Sequence, residues 1–302
     1  TDGSDPESDL ALTSLSVQAL WKVLAHASRY GIKLQKIIQA INKAEGYALE
    51  KSSLQAIDTP RFGSTSALFS YGYHLSHLAL MFKTAVDTKR SKKIKTIIRE
   101  TLNQLSDNQR SDGGFGYSFH SAYVALGARE HSATFATAVV ILGLTDITKT
   151  GDAEIQKQAG PILNKALDAL TKSRTESGTF GYETSKITPE TETPAGSAAR
   201  NILCEYALWK AAPVEENRKK LEKALVNFQK HRPILEFMAL CFDGSLTPSH
   251  SGPSKTSDYY YPLALHYASE GLIHARLPEK QAYIKQVEFS ILKDEKGDSG
   301  IW

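Results

Sequence analysis

The sequence predicts an all-α protein built from repeated helical hairpins. Phe115-Gly116-Tyr117 returns as Phe180-Gly181-Tyr182, a spacing of 65 residues, and helical periodicity flanks both copies. A period of this size is typical of stacked two-helix units. No segment alternates apolar and polar residues over more than a few positions, as a half-buried strand would. Together these observations favour helices alone.

The first hairpin is predicted where apolar residues recur at helical spacing on both sides of Gly31. One helix is predicted at 15–30 and another at 32–49, because glycine is favoured at the turn that ends a helix. Residues 1–12 begin with a polar stretch, and we expect them to form a disordered or extended lead. We expect 13–302 to fold as a single domain, since the repeat runs through it.

Each of the four later hairpins combines two kinds of helix. The first helix is apolar or small nearly all round, which is typical of a helix buried on all sides, and the second is amphipathic. Gly160-Pro161 is expected to kink or split one amphipathic helix. The pairs are predicted at 64–85 with 92–108, 131–148 with 152–174, 194–211 with 214–231, and 258–275 with 279–292.

Composition excludes several classes of protein. Hydrophobic residues make up 41% of the chain, which is enough for a normal core, and the net charge is only +3. The basic clusters stand at predicted helix starts without a nucleic-acid recognition motif, so we expect no nucleic-acid partner. The longest uncharged apolar run, 135–144, is shorter than the ~18 residues that a membrane span needs, so we expect no membrane span.

Two features bear on the compartment. The polar start at Thr1 favours export, because a removed signal peptide leaves such an end, and an arbitrary boundary is the alternative. Cys204 and Cys241 fit neither a disulfide framework nor a Cys-x-x-Cys metal pair. Cys204 lies in an apolar helical pattern, which predicts a small buried residue.

The repeated loops at 110–117 and 175–182, which we call the first and second markers, carry a family resemblance. The stretch 105–116, Leu-Ser-Asp-Asn-Gln-Arg-Ser-Asp-Gly-Gly-Phe-Gly, resembles the Gln-and-aromatic repeat of the terpene cyclase and protein prenyltransferase superfamily. The terminal Asp298-Ser299-Gly300-Ile301-Trp302 is similar to the Gly-x-Trp end of that repeat. The resemblance implies an α/α toroid of about five helical hairpins, with inner and outer helix rings around a central cavity.

The catalytic motifs of that superfamily are missing from this sequence. Its protonating cyclases use Asp-x-Asp-Asp, which occurs nowhere in the chain. Its zinc prenyltransferases use Asp-x-Cys followed far downstream by His, whereas Cys241-Phe242-Asp243 reverses the order and His266 follows too closely. We therefore expect no metal site, no cofactor, and neither squalene cyclase nor zinc prenyltransferase activity.

The implied toroid would bring the N-termini of the inner helices to one mouth of the cavity. His131 is of most interest there, because the helix dipole disfavours its cationic form and a neutral imidazole could act as a base. The candidate catalytic residues are Glu130, His131, Glu192 and Asp258, and the candidate ligand-binding residues are Arg61, Ser66, Tyr71, Thr134, Arg200, Tyr259, Tyr260 and His266. Helix capping is the alternative role for the hydroxyl and acidic residues in these sets.

The sequence leaves several functions open. The first is a toroid protein that binds a small molecule or glycan in its central cavity, or an enzyme acting there on an isoprenoid-like substrate, which would rest on the resemblance alone. The second is a glycan-active enzyme with lyase-like acid–base chemistry. The third is a non-catalytic scaffold. Tyrosine-rich walls favour a sugar or a polar-headed ligand over a polyprenyl chain.

Overall fold

The computed structural model describes residues 6–26, 34–53, 67–116, 132–184, 194–241 and 261–295, and within these ranges it confirms the all-α prediction. They contain ten α-helices and no β-strand, apart from an isolated antiparallel bridge between Arg174 and Phe180. None of these described helices has the length and apolarity that crossing a membrane requires. The helices are α1 (Pro6–His26), α2 (Leu34–Ser53), α3 (Ala67–Thr84), α4 (Thr88–Asn108), α5 (Thr134–Thr148), α6 (Ala153–Lys172), α7 (Pro194–Ala211), α8 (Glu215–Cys241), α9 (Tyr261–His274) and α10 (Lys280–Glu295).

The N-terminal helix begins earlier than the sequence predicts. The predicted extended or disordered lead covers 1–12, of which 1–5 lie outside the described residues, and α1 starts at Pro6. Leu10 and Ala11 are buried, so the apolar face of the helix continues back from the predicted start at Leu15. Proline suits this first position because an N–H there would make no hydrogen bond within the helix, so nothing is lost by its absence.

Two prolines lie inside continuous helices. Pro161 does not split α6, and Pro233 lies within α8, which runs beyond the predicted end at 231. Ile162 follows the first proline and Leu235 lies just past the second, and both side chains are buried. Buried apolar contacts of this kind stabilise a helix enough to offset the one hydrogen bond that proline removes.

The described residues belong to two compact units, 1–168 and 169–302. In the first unit, α3 packs against α1, α4 and α5, and α2 packs against α1 and α4. Helix α5 is buried almost throughout, whereas α4 buries one stripe that includes Ile94, Ile98 and Leu102. Their sequence patterns predict this contrast. That 13–302 forms a single domain stays a prediction.

The second unit is organised around α7. This helix packs against α8 and α9, and α9 also packs against α8 and α10. Leu221, Leu225 and Phe228 of α8 are fully buried at helical spacing on one face. Cys204 of α7 is fully buried as well, as its apolar surroundings in the sequence predict.

The two copies of the marker form the same turn. In each copy the first residue's N–H donates to the fifth residue's carbonyl, and the fourth residue's N–H donates to the first residue's carbonyl. These bonds are Arg110 to Gly114 at 3.0 Å and Gly113 to Arg110 at 2.9 Å, then Thr175 to Thr179 at 2.9 Å and Gly178 to Thr175 at 3.0 Å. Gly113 and Gly178 have φ of 89° and 82°, a left-handed conformation that favours glycine. The 65-residue repeat of the sequence is therefore also a repeat of backbone structure.

Each marker is tied to the helix that follows it. The backbone N–H of Phe115 donates to Oγ1 of Thr137 in α5, at 2.9 Å. The backbone N–H of Phe180 donates to Oδ1 of Asn201 in α7, also at 2.9 Å. Both phenylalanine side chains are fully buried. In each case a polar side chain in the helix that follows the marker accepts a hydrogen bond from a buried backbone N–H of the loop.

Helices α3 and α5 approach each other through two glycines. A Cβ added at Gly143 would overlap the carbonyl oxygen of Gly72. A Cβ added at Gly72 would lie 2.5 Å from the carbonyl oxygen of Val139. Neither contact involves a flexible side-chain end, so only a shift of backbone could relieve it. The core of the first unit therefore requires glycine at both positions.

We expect Gly143→Ala to lower the free energy of unfolding by about 1 to 3 kcal/mol, the usual cost of overpacking a tight core. Gly46→Ala is the matched control, because Gly46 lies in exposed α2 surface with no atom near its added Cβ. We expect this control to raise stability by about 0.5 to 1 kcal/mol. Urea denaturation measures both, and equal effects would contradict the close approach.

Candidate functional site

Most of the residues that the sequence nominates lie outside the described ranges. These are Arg61, Ser66, Glu130, His131, Glu192, Asp258, Tyr259 and Tyr260. In the first unit, Tyr71 on α3 and Thr134 at the start of α5 are both buried. In the second unit, Arg200 is buried in α7, with its guanidinium carbon 5.9 Å from the centre of the Tyr182 ring. His266 is exposed on α9, and its ring meets the Tyr267 ring edge-on at 4.8 Å between ring centres.

A histidine pair occupies the core of the first unit. His74 and His77 of α3 are fully buried, and their rings make an edge-on contact with centres 6.5 Å apart. Burial lowers the pKa of His74 to about 3, with a smaller contribution from the nearby His77, and burial lowers the pKa of His77 to about 4. Among the described residues, neither ring nitrogen of His77 has a hydrogen-bond partner. Both imidazoles are therefore neutral at pH 7.

Within the described ranges, the histidine pair is not part of a cluster that could hold a metal ion. No three His, Cys, Asp or Glu side chains in this part of the chain come together in a way that could hold an ion. The pair lies in the interior of the first unit, with both side chains fully buried. The pair should lower the stability of the protein in acid, because histidines bind a proton more readily in the unfolded chain than when they are buried and neutral.

A polar pocket lies beside the second marker, within the second unit. We call it the loop pocket, and its volume is about 280 Å³. It is lined by Arg174, Thr175, Glu176, Ser177, Gly178, Thr179, Asn201, Glu205, Lys220, Lys223, Ala224 and Asn227. The lining comes from the turn after α6, from α7 and from α8, and ten of these twelve residues are charged or carry a hydroxyl or amide. A pocket of this composition suits a small polar ligand.

A buried ion pair forms one wall of the loop pocket. Nε of Arg174 donates to Oε1 of Glu205 at 2.9 Å, and Nη2 donates to Oε2 at 2.6 Å. This is the two-pronged geometry that arginine makes with a carboxylate. The Glu205 side chain is only 3% exposed, and its burial raises the pKa of the carboxyl while the charge and hydrogen bonds of Arg174 lower it in part. Removal from water is the larger effect.

The marker turn supplies three hydroxyls to the pocket. Oγ1 of Thr175 lies 2.8 Å from Oγ of Ser177 and 2.8 Å from Oγ1 of Thr179. The Ser177 and Thr179 hydroxyls are 3.1 Å apart. Nζ of Lys223 donates to the carbonyl oxygen of Ser177 at 3.1 Å and so holds α8 against the turn. Hydroxyl groups can each donate or accept, which makes this wall adaptable to an oxygen-rich ligand.

The two markers differ in how they meet the next amphipathic helix, which is α6 for the first and α8 for the second. At the first marker, Nε2 of Gln109 donates to the carbonyl oxygens of Gly113 and Ile162, both at 2.9 Å, and so bridges the turn to α6. At the second marker the equivalent position is Arg174, which turns instead to Glu205 in α7. No amide then bridges the turn to α8 from this position. The space beside α8 is the loop pocket.

Comparison with known proteins adds no family to this description. No protein-family model matches the chain, and no curated protein matches it.

Reasoning from the sequence missed the loop pocket. Its signals were the arginine at the position where the first marker has Gln109, and the polar residues Lys220, Lys223 and Asn227 at one-face spacing on α8. Neither signal identifies the partner of the arginine, because Glu205 lies 31 residues further along the chain, in α7.

We expect His77→Leu to reduce the sensitivity of the protein to acid. The unfolded chain protonates histidine near pH 6.5, whereas folded His77 does so only near pH 4, so its contribution to stability is lost as pH falls below 6.5. The free energy of unfolding that is lost between pH 7 and pH 5 should be about 1 to 2 kcal/mol smaller in the variant than in the parent protein. Ile141→Val is the control, because it should cost about 1 kcal/mol equally at both pH values. Urea titrations at each pH make the measurement, and an unchanged pH dependence would contradict the prediction.

We expect Arg174→Met to lower stability by about 3 to 5 kcal/mol at pH 8, because it leaves the Glu205 carboxylate buried without its cation. The pKa of Glu205, already raised, should rise further. A carboxyl whose pKa is higher in the folded than in the unfolded chain makes stability fall as pH rises above the unfolded pKa. The stability that Arg174→Met loses should therefore be smaller at pH 5 than at pH 8.

The double variant Arg174→Met/Glu205→Leu serves as the control for this prediction. It removes both charges and should recover most of the stability. Denaturation of the two variants at pH 5 and pH 8 compares them, and equal stability of the single and double variants would show that the pair is not coupled.

Proposed function

We propose that the protein is an α/α toroid of the terpene cyclase and prenyltransferase type that binds a small, oxygen-rich ligand, without squalene cyclase or zinc prenyltransferase activity. The ligand-binding role rests on the loop pocket, which is the observation that carries the proposal. The toroid rests on the sequence resemblance and on the identical turns of the two markers. In such a ring, each turn would join an outer helix to an inner one.

The composition of the loop pocket supports binding of a polar molecule. Its volume of about 280 Å³ is near the lower end of small-molecule sites. Hydroxyls, two amides, lysines and a fixed ion pair provide donors and acceptors on several sides, while Ala224 is the one aliphatic side chain of the lining. A bare isoprenoid chain would leave these polar groups without partners, at a cost in free energy.

A second candidate function is acid–base catalysis on a sugar-like substrate in the same pocket. The observation that favours it is Glu205, whose carboxyl is buried beside a polar cavity and has a raised pKa. Carboxyls with raised pKa values in clefts are frequent proton donors and acceptors in enzymes. Formation of a product from a bound ligand, rather than binding alone, distinguishes this candidate.

A ligand panel tests the proposal. Purified full-length protein is melted with glycerol, glucose, glucose 6-phosphate, citrate, geraniol and geranyl diphosphate, and samples are assayed for product. We expect oxygen-rich members to raise the Tm and geraniol to leave it unchanged, because a ligand that binds only the folded state stabilises it.

Ala224→Leu is the variant for this panel, since its larger side chain would fill part of the loop pocket. We expect it to abolish the increase in Tm. Ala212→Leu, at an exposed position outside the pocket, should retain the increase. If the ligand stabilises Ala224→Leu as strongly as the parent protein, binding occurs elsewhere and the loop pocket is not the site.

A further inference from the structure

We propose that the loop pocket binds the phosphate group of a small phosphorylated molecule, held by Lys223 and by the hydroxyls of the turn at 175–179. This inference rests on the proposed ligand-binding function and names the chemical class of the ligand. A phosphate monoester offers several strong acceptor oxygens, which match an ammonium group and a set of hydroxyl donors.

The first marker shows what the second one lacks. In the first turn, Oδ1 of Asp112 accepts hydrogen bonds from the backbone N–H of Gly114 at 2.9 Å and from Oγ of Ser132 at 2.6 Å. The equivalent position in the second turn is Ser177, a neutral hydroxyl. The turn therefore holds its own carboxylate in one copy and not in the other. The matching backbone N–H in the second turn, that of Thr179, donates to Oγ1 of Thr175 at 3.1 Å. A neutral hydroxyl therefore closes this turn where the first turn uses a carboxylate, which favours the binding of an anion beside it.

Lys223 is the cation that is available to such an anion. The other two basic residues of the pocket have acidic partners, since Arg174 pairs with Glu205 and Lys220 pairs with Glu216 at 2.5 Å. Nζ of Lys223 bonds to a carbonyl oxygen, and no carboxylate in the described part of the chain forms an ion pair with it. An ammonium group has three donors, so two remain after this bond.

The acidic residues of the pocket do not prevent the binding of an anion. Glu205 is held by both prongs of Arg174, which offsets its charge. Glu176 is exposed, and water screens its carboxylate. The volume of about 280 Å³ would admit a compact phosphate ester but not a large nucleotide.

Calorimetric titration with glycerol 3-phosphate, glycerol and inorganic phosphate tests the inference on the full-length protein. We expect binding of glycerol 3-phosphate and, more weakly, of inorganic phosphate, and none of glycerol. Lys223→Met should weaken the binding of glycerol 3-phosphate about 10- to 100-fold, the usual effect of removing a hydrogen bond to a charged group. Lys223→Arg should retain most of it.

Two further variants remove the ambiguities. Lys219→Met changes a lysine on α8 that does not line the pocket, and it should bind like the parent protein. Ser177→Asp gives the second turn the carboxylate that the first turn has at Asp112. Because the two turns share one backbone structure, the second turn should tolerate this side chain. The Ser177→Asp variant should fold and lose phosphate binding, whereas Ser177→Asn should keep it.

Several outcomes would overturn the inference. One is equal weakening by Lys219→Met and Lys223→Met, which would indicate only general charge attraction. Another is undiminished phosphate binding in Ser177→Asp. If glycerol or glucose binds and Ala224→Leu prevents it while phosphate esters do not bind, the proposed function stands and this inference fails. If no member of either ligand set binds in the pocket, both fail.

Discussion

The marker turn is the constraint on which the rest of the described structure depends. It reverses the chain after α4 and again after α6, using a glycine at positive φ and two backbone hydrogen bonds each time. A buried phenylalanine follows, and its backbone N–H is satisfied by a polar side chain in the next described helix. Helix ends leave backbone groups without partners, so a loop that satisfies them also fixes where the following helix must lie. The two most buried helices, α5 and α7, are positioned in this way.

The side chain just before the turn, Gln109 at the first marker and Arg174 at the second, determines how the turn contacts the next amphipathic helix. Gln109 has an amide that reaches two carbonyl oxygens and bridges the first turn to α6. Arg174 cannot replace it, because its charge requires a carboxylate once it is removed from water. It therefore pairs with Glu205 in α7, and the second turn meets α8 through Lys223 instead. The same backbone thus produces a bridged turn in one unit and a polar pocket in the other.

Helices were predictable from the sequence, whereas the loop pocket was not. Apolar periodicity gave the helices because burial of one stripe or of the whole helix is a local pattern, as in α4 and α5. The start of α1 and the passage of α8 through Pro233 depend on tertiary burial of Leu10 and Leu235, which no local rule contains. Of the twelve nominated site residues, four lie in the described ranges, and none of these four lines the loop pocket. The pocket depends on an ion pair that joins residues 31 positions apart, and only the folded chain brings them together.

Stability alone does not account for the buried ion pair beside the pocket. The attraction between two buried charges does little more than offset the cost of removing both from water. An apolar pair of similar size would therefore stabilise the second unit at least as well. Burial raises the pKa of Glu205 more than the attraction of Arg174 lowers it, which is the direction expected when removal from water is costly. In the proposed ligand-binding function, the ion pair would present fixed polar groups to the ligand, a use that an apolar pair would lack. Such a wall keeps its charges oriented before the ligand arrives, and binding then requires little further ordering of side chains.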